Sequence, residues 1–384
     1  MFDVHAFLER LVQLLRHQEL WVPLAIVLPM VAWAGFKAGR YFPYFDARVK
    51  ELETKLKESL EREAKCDKIH KAVLDDESEL WRSRQPSPPE GFKTPINVSR
   101  AKIIVVANNK GGVGKTTLTA GLAEYFENKK KRVLLIDLDY QGSLTNWMLQ
   151  AAAIYIPTNQ SHRLAHANKL LDGSATDQWQ PEVLSNGHDG MNAQLITADY
   201  TLTEHETKLM LEWLQGGGQP DIRYCLAQVL LKRHVQNEFD IVLIDAPPRL
   251  TTGTVGALVA GTHLVCPTEL NPLSAETVGG FLRQVWLLKQ KLDLGLELAG
   301  VVGTKTPARP LEKSLGGPEQ AALSIVRSGL TEWHGHAEVF DRDIQQLAAI
   351  KNLGGRNRLY NGDAKVRKMF DELGDELCER ISLR

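Results

Sequence analysis

From about residue 100 to the end of the chain, short apolar runs alternate with longer stretches of helical spacing. Ile103-Ile104-Val105-Val106-Ala107, Arg132-Val133-Leu134-Leu135-Ile136, Phe239-Asp240-Ile241-Val242-Leu243-Ile244, His263-Leu264-Val265-Cys266 and Gly300-Val301-Val302-Gly303 are all of strand length. Runs that are apolar at nearly every position fit strands buried on both faces. After the first of them, Leu118, Ala120, Leu122, Ala123 and Phe126 fall at helical intervals. Strands alternating with helices predict an α/β fold, a doubly wound and mostly parallel sheet with ligands at its C-terminal strand ends.

The first 96 residues are patterned differently. Phe2, Phe7, Leu8, Leu11, Val12, Leu14 and Leu15 suit a short amphipathic helix. Leu20 to Phe36 carries no charge, with Trp21 and Trp33 near its ends. As a helix it would be roughly 25 Å long, slightly short of a hydrocarbon core of about 30 Å. Lys37, Arg40, Arg48 and Lys50 after it outweigh Arg10 and Arg16 before it. The expectation is one transmembrane helix with the N-terminus outside and the C-terminal side in the cytoplasm, that is, anchorage at the inner membrane. A helix buried in a complex or inserted part-way is the alternative, kept open by Pro23 and Pro29, and would leave the protein cytoplasmic. Residues 46–80 are dense in Lys and Glu, with Val49, Leu52 and Leu56 at heptad-like spacing, as in an exposed helix or a short coiled coil. Gln85-Pro86-Ser87-Pro88-Pro89-Glu90-Gly91 then has the composition of a linker. The expected divisions are 1–40, 41–96 and 97–384.

Charge and cysteine usage narrow the function. Lys+Arg 46 against Asp+Glu 47 leaves a net charge of -1, so bulk charge does not recruit nucleic acid. The four cysteines, Cys66, Cys225, Cys266 and Cys378, form no C-x-x-C pair and do not read as a disulfide, zinc or iron–sulfur framework. His162, His166 and His188 are irregularly spaced, and a metal site is not expected of them. Lys351, Arg356, Arg358, Lys365, Arg367 and Lys368 make a local basic cluster. Interspersed acids allow an ordinary solvated helix face as readily as non-specific DNA contact.

The candidate chemistry is concentrated in three places. Asn108-Asn109-Lys110-Gly111-Gly112-Val113-Gly114-Lys115-Thr116-Thr117 follows the first strand and opens a helix. Glycines there let backbone N–H groups and the helix N-terminus face phosphates. Lys115 would reach the β- and γ-phosphates of a nucleotide and Thr116 would bind Mg²⁺. Asp137-Leu138-Asp139-Tyr140-Gln141-Gly142-Ser143 leaves the second strand with two carboxylates two positions apart, able to face one Mg²⁺ and its water; N-capping of the next helix is the plain alternative. Asp245 ends a buried strand before Ala246-Pro247-Pro248, in the manner of a Walker B carboxylate that meets Mg²⁺ through water.

The first stretch departs from the generic phosphate-loop pattern, because Asn109 takes the place of its first glycine. With its second lysine, Lys110, it resembles the deviant Walker A motif of ParA/MinD ATPases. The Asp137–Ser143 stretch is similar to that family's switch I, with Tyr140 where a proline is usual. Asp245-Ala246-Pro247-Pro248 is similar to its switch II, with Arg249 as a departure. The resemblance covers about residues 100–384. It implies a P-loop ATPase that uses ATP and Mg²⁺, in which Lys110, Gly111, Gly112, Val113, Gly114, Lys115, Thr116 and Thr117 contact the nucleotide. It implies that Lys110 reaches the nucleotide of a second copy across a homodimer, and that Asp139 orients the attacking water. Asp137 would support the Mg²⁺ shell, and Gln141, Pro247 and Pro248 would move as switches. A protein partner or cargo is implied without being identified. A bacterial tyrosine kinase would share the order of membrane segment and Walker motifs, but no tyrosine follows Tyr360 here.

Overall fold

A computed structural model describes residues 50–51, 53–57, 59–61, 77–152, 154, 167–174, 181–184, 193–216, 220–311, 313–347, 350 and 363–383. The chain separates into two compact units, Met1–Leu74 and Asp75–Arg384. Of the first, only helix between residues 50 and 61 is described, with Lys55 paired to Glu51 one turn away at 2.6 Å. The amphipathic stretch at 2–15, the Leu20–Phe36 segment and the three histidines at 162, 166 and 188 lie outside the described residues. Among the described residues no helix is long and apolar enough to cross a membrane.

The second unit opens with helix α1 (Glu77–Arg82) and a short helix α2 (Pro95–Val98). β1 (Lys102–Val106), α3 (Lys115–Asn128), β2 (Val133–Asp137) and α4 (Ser143–Ala151) follow. Next come α5 (Ala167–Leu171), β3 (Glu182–Val183), β4 (Gln194–Ile196), α6 (Thr201–Leu214), α7 (Ile222–Leu230) and α8 (Arg233–Glu238). The remainder is β5 (Ile241–Asp245), α9 (Thr252–Ala260), β6 (His263–Glu269), α10 (Pro272–Leu292), β7 (Glu297–Thr306), α11 (Gly317–Gly329), β8 (Ile344–Gln345) and α12 (Ala364–Arg380).

The strands form one sheet in the order β3-β4-β2-β5-β1-β6-β7-β8. Its pairings are parallel except β3 with β4, an antiparallel edge. The central strands are buried at nearly every residue, as their uniformly apolar sequences require of a sheet covered on both faces. On one face, Leu118, Leu122 and Phe126 of α3 join Met148 of α4 and Val366, Phe370 and Leu373 of α12 in a single apolar cluster. The other face carries α7, α9 and α10. The doubly wound sheet expected from the sequence is therefore the fold, with β1, β2 and β5 side by side so that their C-terminal ends share one edge.

The boundary expected near residue 96 is displaced. The proline-rich stretch belongs to the second unit, which begins at Asp75. Trp81 is 1% exposed, and the buried Arg223 of α7 donates to the backbone carbonyls of Trp81 and Gln85 at 2.8 and 3.1 Å. Residues 85–89 are neither helix nor strand and a turn closes behind them, the Phe92 N–H donating to the Pro89 carbonyl at 3.0 Å, but the stretch is held against the domain. The basic cluster is described only in part. Lys365 donates to the carbonyl of Arg309 at 2.6 Å and Lys368 lies 3.9 Å from Glu372, so two of its cations are engaged by the domain itself.

Candidate functional site

β1 ends at Val106, and the chain turns through residues 107–114 into α3. Gly112 and Gly114 have φ of 73° and 88°, a left-handed region that side-chain-bearing residues seldom enter. The turn is pinned on both sides. Asn108, buried, donates to the carbonyl of Pro267 at 2.8 Å and accepts from the Lys110 N–H at 3.0 Å. On the far side the Thr304 hydroxyl donates to the carbonyl of Val113 at 2.7 Å. These contacts fix the loop's curvature, leaving Gly111 with open space around it.

Two lysines bracket the loop differently. Lys115, at the first turn of α3, folds its ammonium back onto the carbonyls of Asn108 and Lys110 at 3.3 and 3.2 Å. Burial pushes its pKa below the ordinary value, an effect opposed by Asp245 and Asp139. Lys110 points to the side, its ammonium 2.8 Å from the Ser274 hydroxyl at the start of α10.

The acids converge as the strand register dictates. β2 and β5 pair with Asp137 opposite Asp245, both at the C-terminal edge and both fully enclosed. Asp245 accepts the Thr116 hydroxyl through Oδ2 at 2.7 Å, while its Oδ1 is buried with no hydrogen-bond partner. Burial holds its carboxyl well above the usual range, and the neighbouring Asp137 adds to the effect. Burial likewise raises Asp137 to about 6, although it accepts the N–H and hydroxyl of Thr145, each at 2.8 Å, and the N–H of Asp139 at 3.1 Å. The bonds to Thr145 make Asp137 a brace for the start of α4, as capping would, and do not displace it from the acidic pair. Asp139 lies in the loop beyond, partly exposed, accepting the Gln141 N–H at 3.1 Å. Gly142, at φ 60°, lies so close to the carbonyl of Ala198 that a Cβ would approach it to 2.8 Å. Tyr140 is 44% exposed.

This arrangement fits a magnesium–nucleotide. An unpartnered, enclosed carboxylate oxygen beside a second buried carboxyl is a costly arrangement that a divalent cation relieves. Among the described residues no three His, Cys, Asp or Glu side chains converge as a protein-only metal cage. That suits Mg²⁺, which takes one or two protein ligands and fills its octahedron with phosphate oxygens and water.

Residues 101–298, just over half the chain, match the protein family described as AAA domain. An uncharacterized protein of Pseudomonas putida is 31% identical over 283 residues, 73% of this chain and 95% of its own length. The chain is a ParA/MinD-like P-loop ATPase. The chromosome-partitioning ATPase Soj of Thermus thermophilus is 32% identical over 55% of the chain and 73% of its own length. Among solved structures, the ATP complex of McdA from Cyanothece superposes with a TM-score of 0.56 at 19% identity, over 74% of this chain and 98% of that one. A plasmid partition protein of Borrelia burgdorferi bound to AMPPNP gives 0.54 at 18% identity, over 73% and 99%. At that identity the two structures speak to the fold of this ParA/MinD-like chain.

Sequence reasoning missed one neighbour of the loop. Lys305, at the end of β7, has φ 55°, and its ammonium lies 3.9 Å from where a Cβ on Gly112 would stand. It is 3.7 Å from Glu269. Only the sheet order reveals it, by bringing the end of β7 beside the glycine turn.

Proposed function

We propose that this protein is a membrane-anchored ATPase that dimerises around ATP and Mg²⁺ and uses hydrolysis to switch its hold on a protein partner or cargo. The observation that carries the nucleotide chemistry is the orphaned Asp245 oxygen, held beside the Thr116 hydroxyl under a glycine loop. Membrane anchorage rests on the uncharged Leu20–Phe36 stretch and the cations that follow it.

In this reading Lys115 exchanges its two loop carbonyls for β- and γ-phosphate oxygens, a charge-assisted replacement for neutral bonds. N–H groups from Gly111 to Thr117 cradle the phosphates. Thr116 and Asp245, with Asp137 in support, would hold Mg²⁺, which when bound would supply neutralisation of charge on the phosphates. Asp139 orients the attacking water and accepts its proton as the water oxygen bonds to the γ-phosphorus and the bond to ADP breaks. Lys110 leaves Ser274 to reach the partner's nucleotide, and the loops at Gln141 and at Pro247–Pro248 reset when phosphate departs.

Phosphate release at saturating ATP·Mg²⁺ tests this. Asp139→Ala should abolish turnover while nucleotide binding persists, and undiminished turnover in that variant would remove Asp139 from the reaction. Biological output that survives Asp139→Ala would support the alternative of a nucleotide-gated scaffold with incidental hydrolysis.

A further inference from the structure

One contact of residues 77–91, the strap that precedes α2, reaches the loop that leaves the acidic strand β5. The indole N–H of Trp81 donates to the carbonyl of Leu250 at 2.6 Å, with both residues buried. Leu250 closes the segment that begins at Asp245 and runs through Pro247 and Pro248. Beyond it, Thr251 caps α9 by accepting the Thr254 N–H, while the Thr254 hydroxyl donates to the carbonyl of Arg249 at 2.6 Å. The loop is thus held at its start by Thr116 on the Asp245 carboxylate. At its end it is held by a side chain from outside the Walker machinery.

Trp81 is in turn gripped by a polar cluster. Its ring stacks on Trp213 of α6, centroids 5.4 Å apart and planes at 27°. Its carbonyl accepts from Arg223, whose fully buried guanidinium also reaches the carbonyls of Arg84 and Gln85 at 3.3 and 3.1 Å and pairs with Asp221 at 2.6 Å. Asp221 accepts the Ser87 N–H at 3.1 Å, and the Arg84 guanidinium donates to the carbonyl of Trp213. A buried charge is tolerated only when its donors are satisfied. Here they are satisfied by the Asp221 carboxylate and by three backbone carbonyls of residues 77–91, so displacing this strap would leave Arg223 with unpaired donors. Such an element has two defined positions more readily than a continuum of partly detached ones.

We propose that residues 77–91 are the output lever of the nucleotide switch, with Trp81 the positioning residue that joins the lever to the Asp245–Leu250 loop. Movement of that loop between nucleotide states shifts the Leu250 carbonyl. Trp81 passes the shift into the strap, which continues covalently into the charged helix at 50–61 and the uncharged segment before it. The proposal rests on the ATPase-switch reading above and assigns that switch its route to the N-terminal segment.

Hydrogen–deuterium exchange on the full chain in detergent micelles, with ADP·Mg²⁺ against a non-hydrolysable ATP analogue and Mg²⁺, tests it. Peptides spanning 245–251 and 77–91 should change together between the two states, each by about fivefold in rate, the scale of one hydrogen bond gained or lost. Trp81→Phe keeps a ring on Trp213 but deletes the N–H donor. It should leave the nucleotide-dependent change at 245–251 and abolish that at 77–91, an uncoupling that a purely structural role would not produce. A wild-type loop that responds while the strap does not overturns the lever, and so does a Trp81→Phe strap that still follows the nucleotide. If the 245–251 loop itself ignores the nucleotide, the switch reading fails and the lever fails with it. Should Trp81→Phe not fold, the wild-type comparison alone still decides.

Discussion

The phosphate-loop edge and the strap at 77–91 both depend on buried charge, but they satisfy it in opposite ways. At the edge, Asp137 and Asp245 are enclosed together and one oxygen has no partner; the polar groups are arranged for something that arrives. Around the strap, Arg223 is equally enclosed and its guanidinium bonds to Asp221 and to three strap carbonyls. The first arrangement sacrifices stability for binding, the second converts a charge into attachment. Substitutions should therefore act on affinity at one and on folding at the other.

The largest effect belongs to the strap. Arg223→Met strands Asp221 and the strap carbonyls, and urea melts should show a loss of about 3–5 kcal/mol, the usual result of breaking a buried pair from one side. The folded fraction should still bind ATP within about threefold, since the bonds of Arg223 itself reach neither the phosphate loop nor Asp137 and Asp245. A loss of affinity without loss of stability would erase the contrast.

Next is the pH response of the acidic pair. An Asp137 carboxyl raised from 3.8 to about 6 keeps its proton in the folded chain while the unfolded chain has lost it. The folded state then binds more protons, and apo stability falls as pH rises from about 4 to about 6, by about 3 kcal/mol for this group. Asp137→Asn should remove that fall. In apo melts at pH 4 and pH 7 the variant should gain on the wild type by up to that amount, and Mg²⁺ with nucleotide should flatten the wild-type profile. An equal pH slope in both proteins would place the raised proton elsewhere.

Lys115→Ala should lower ATP affinity by about a hundredfold, as loss of a charge-assisted phosphate contact does, measured by titration of a fluorescent nucleotide. Stability should not fall with it, because the deleted ammonium is one that burial already disfavours. The smallest effect is expected at Arg132, whose bonds to Asp240 are exposed. Arg132→Ala should cost at most about 1 kcal/mol, which makes it a surface control for the other three.

The phosphate-loop edge was legible in the sequence because its chemistry is written in contiguous runs. A glycine turn, a lysine and a threonine after a buried strand have few other uses, and two further strands ending in Asp137 and Asp245 needed only parallel pairing to bring them together. The strap was not legible. Gln85 to Gly91 has the composition of a linker, and what makes it a strap is Leu250, 169 positions beyond Trp81 in the chain, together with Arg223 on a distant helix. Lys305 was hidden for the same reason, since its place over Gly112 comes from sheet order. Local composition reports how a segment bends, and only tertiary pairing reports what it bends against.

The most direct test of the central claim is the solution mass of residues 75–384, which retain Trp81, measured by light scattering with and without ATP·Mg²⁺. A single chain that becomes two only with ATP·Mg²⁺, and stays single in Lys110→Ala, is the predicted result. A mass indifferent to ATP, or a Lys110→Ala variant that still doubles, would contradict the nucleotide-bridged dimer.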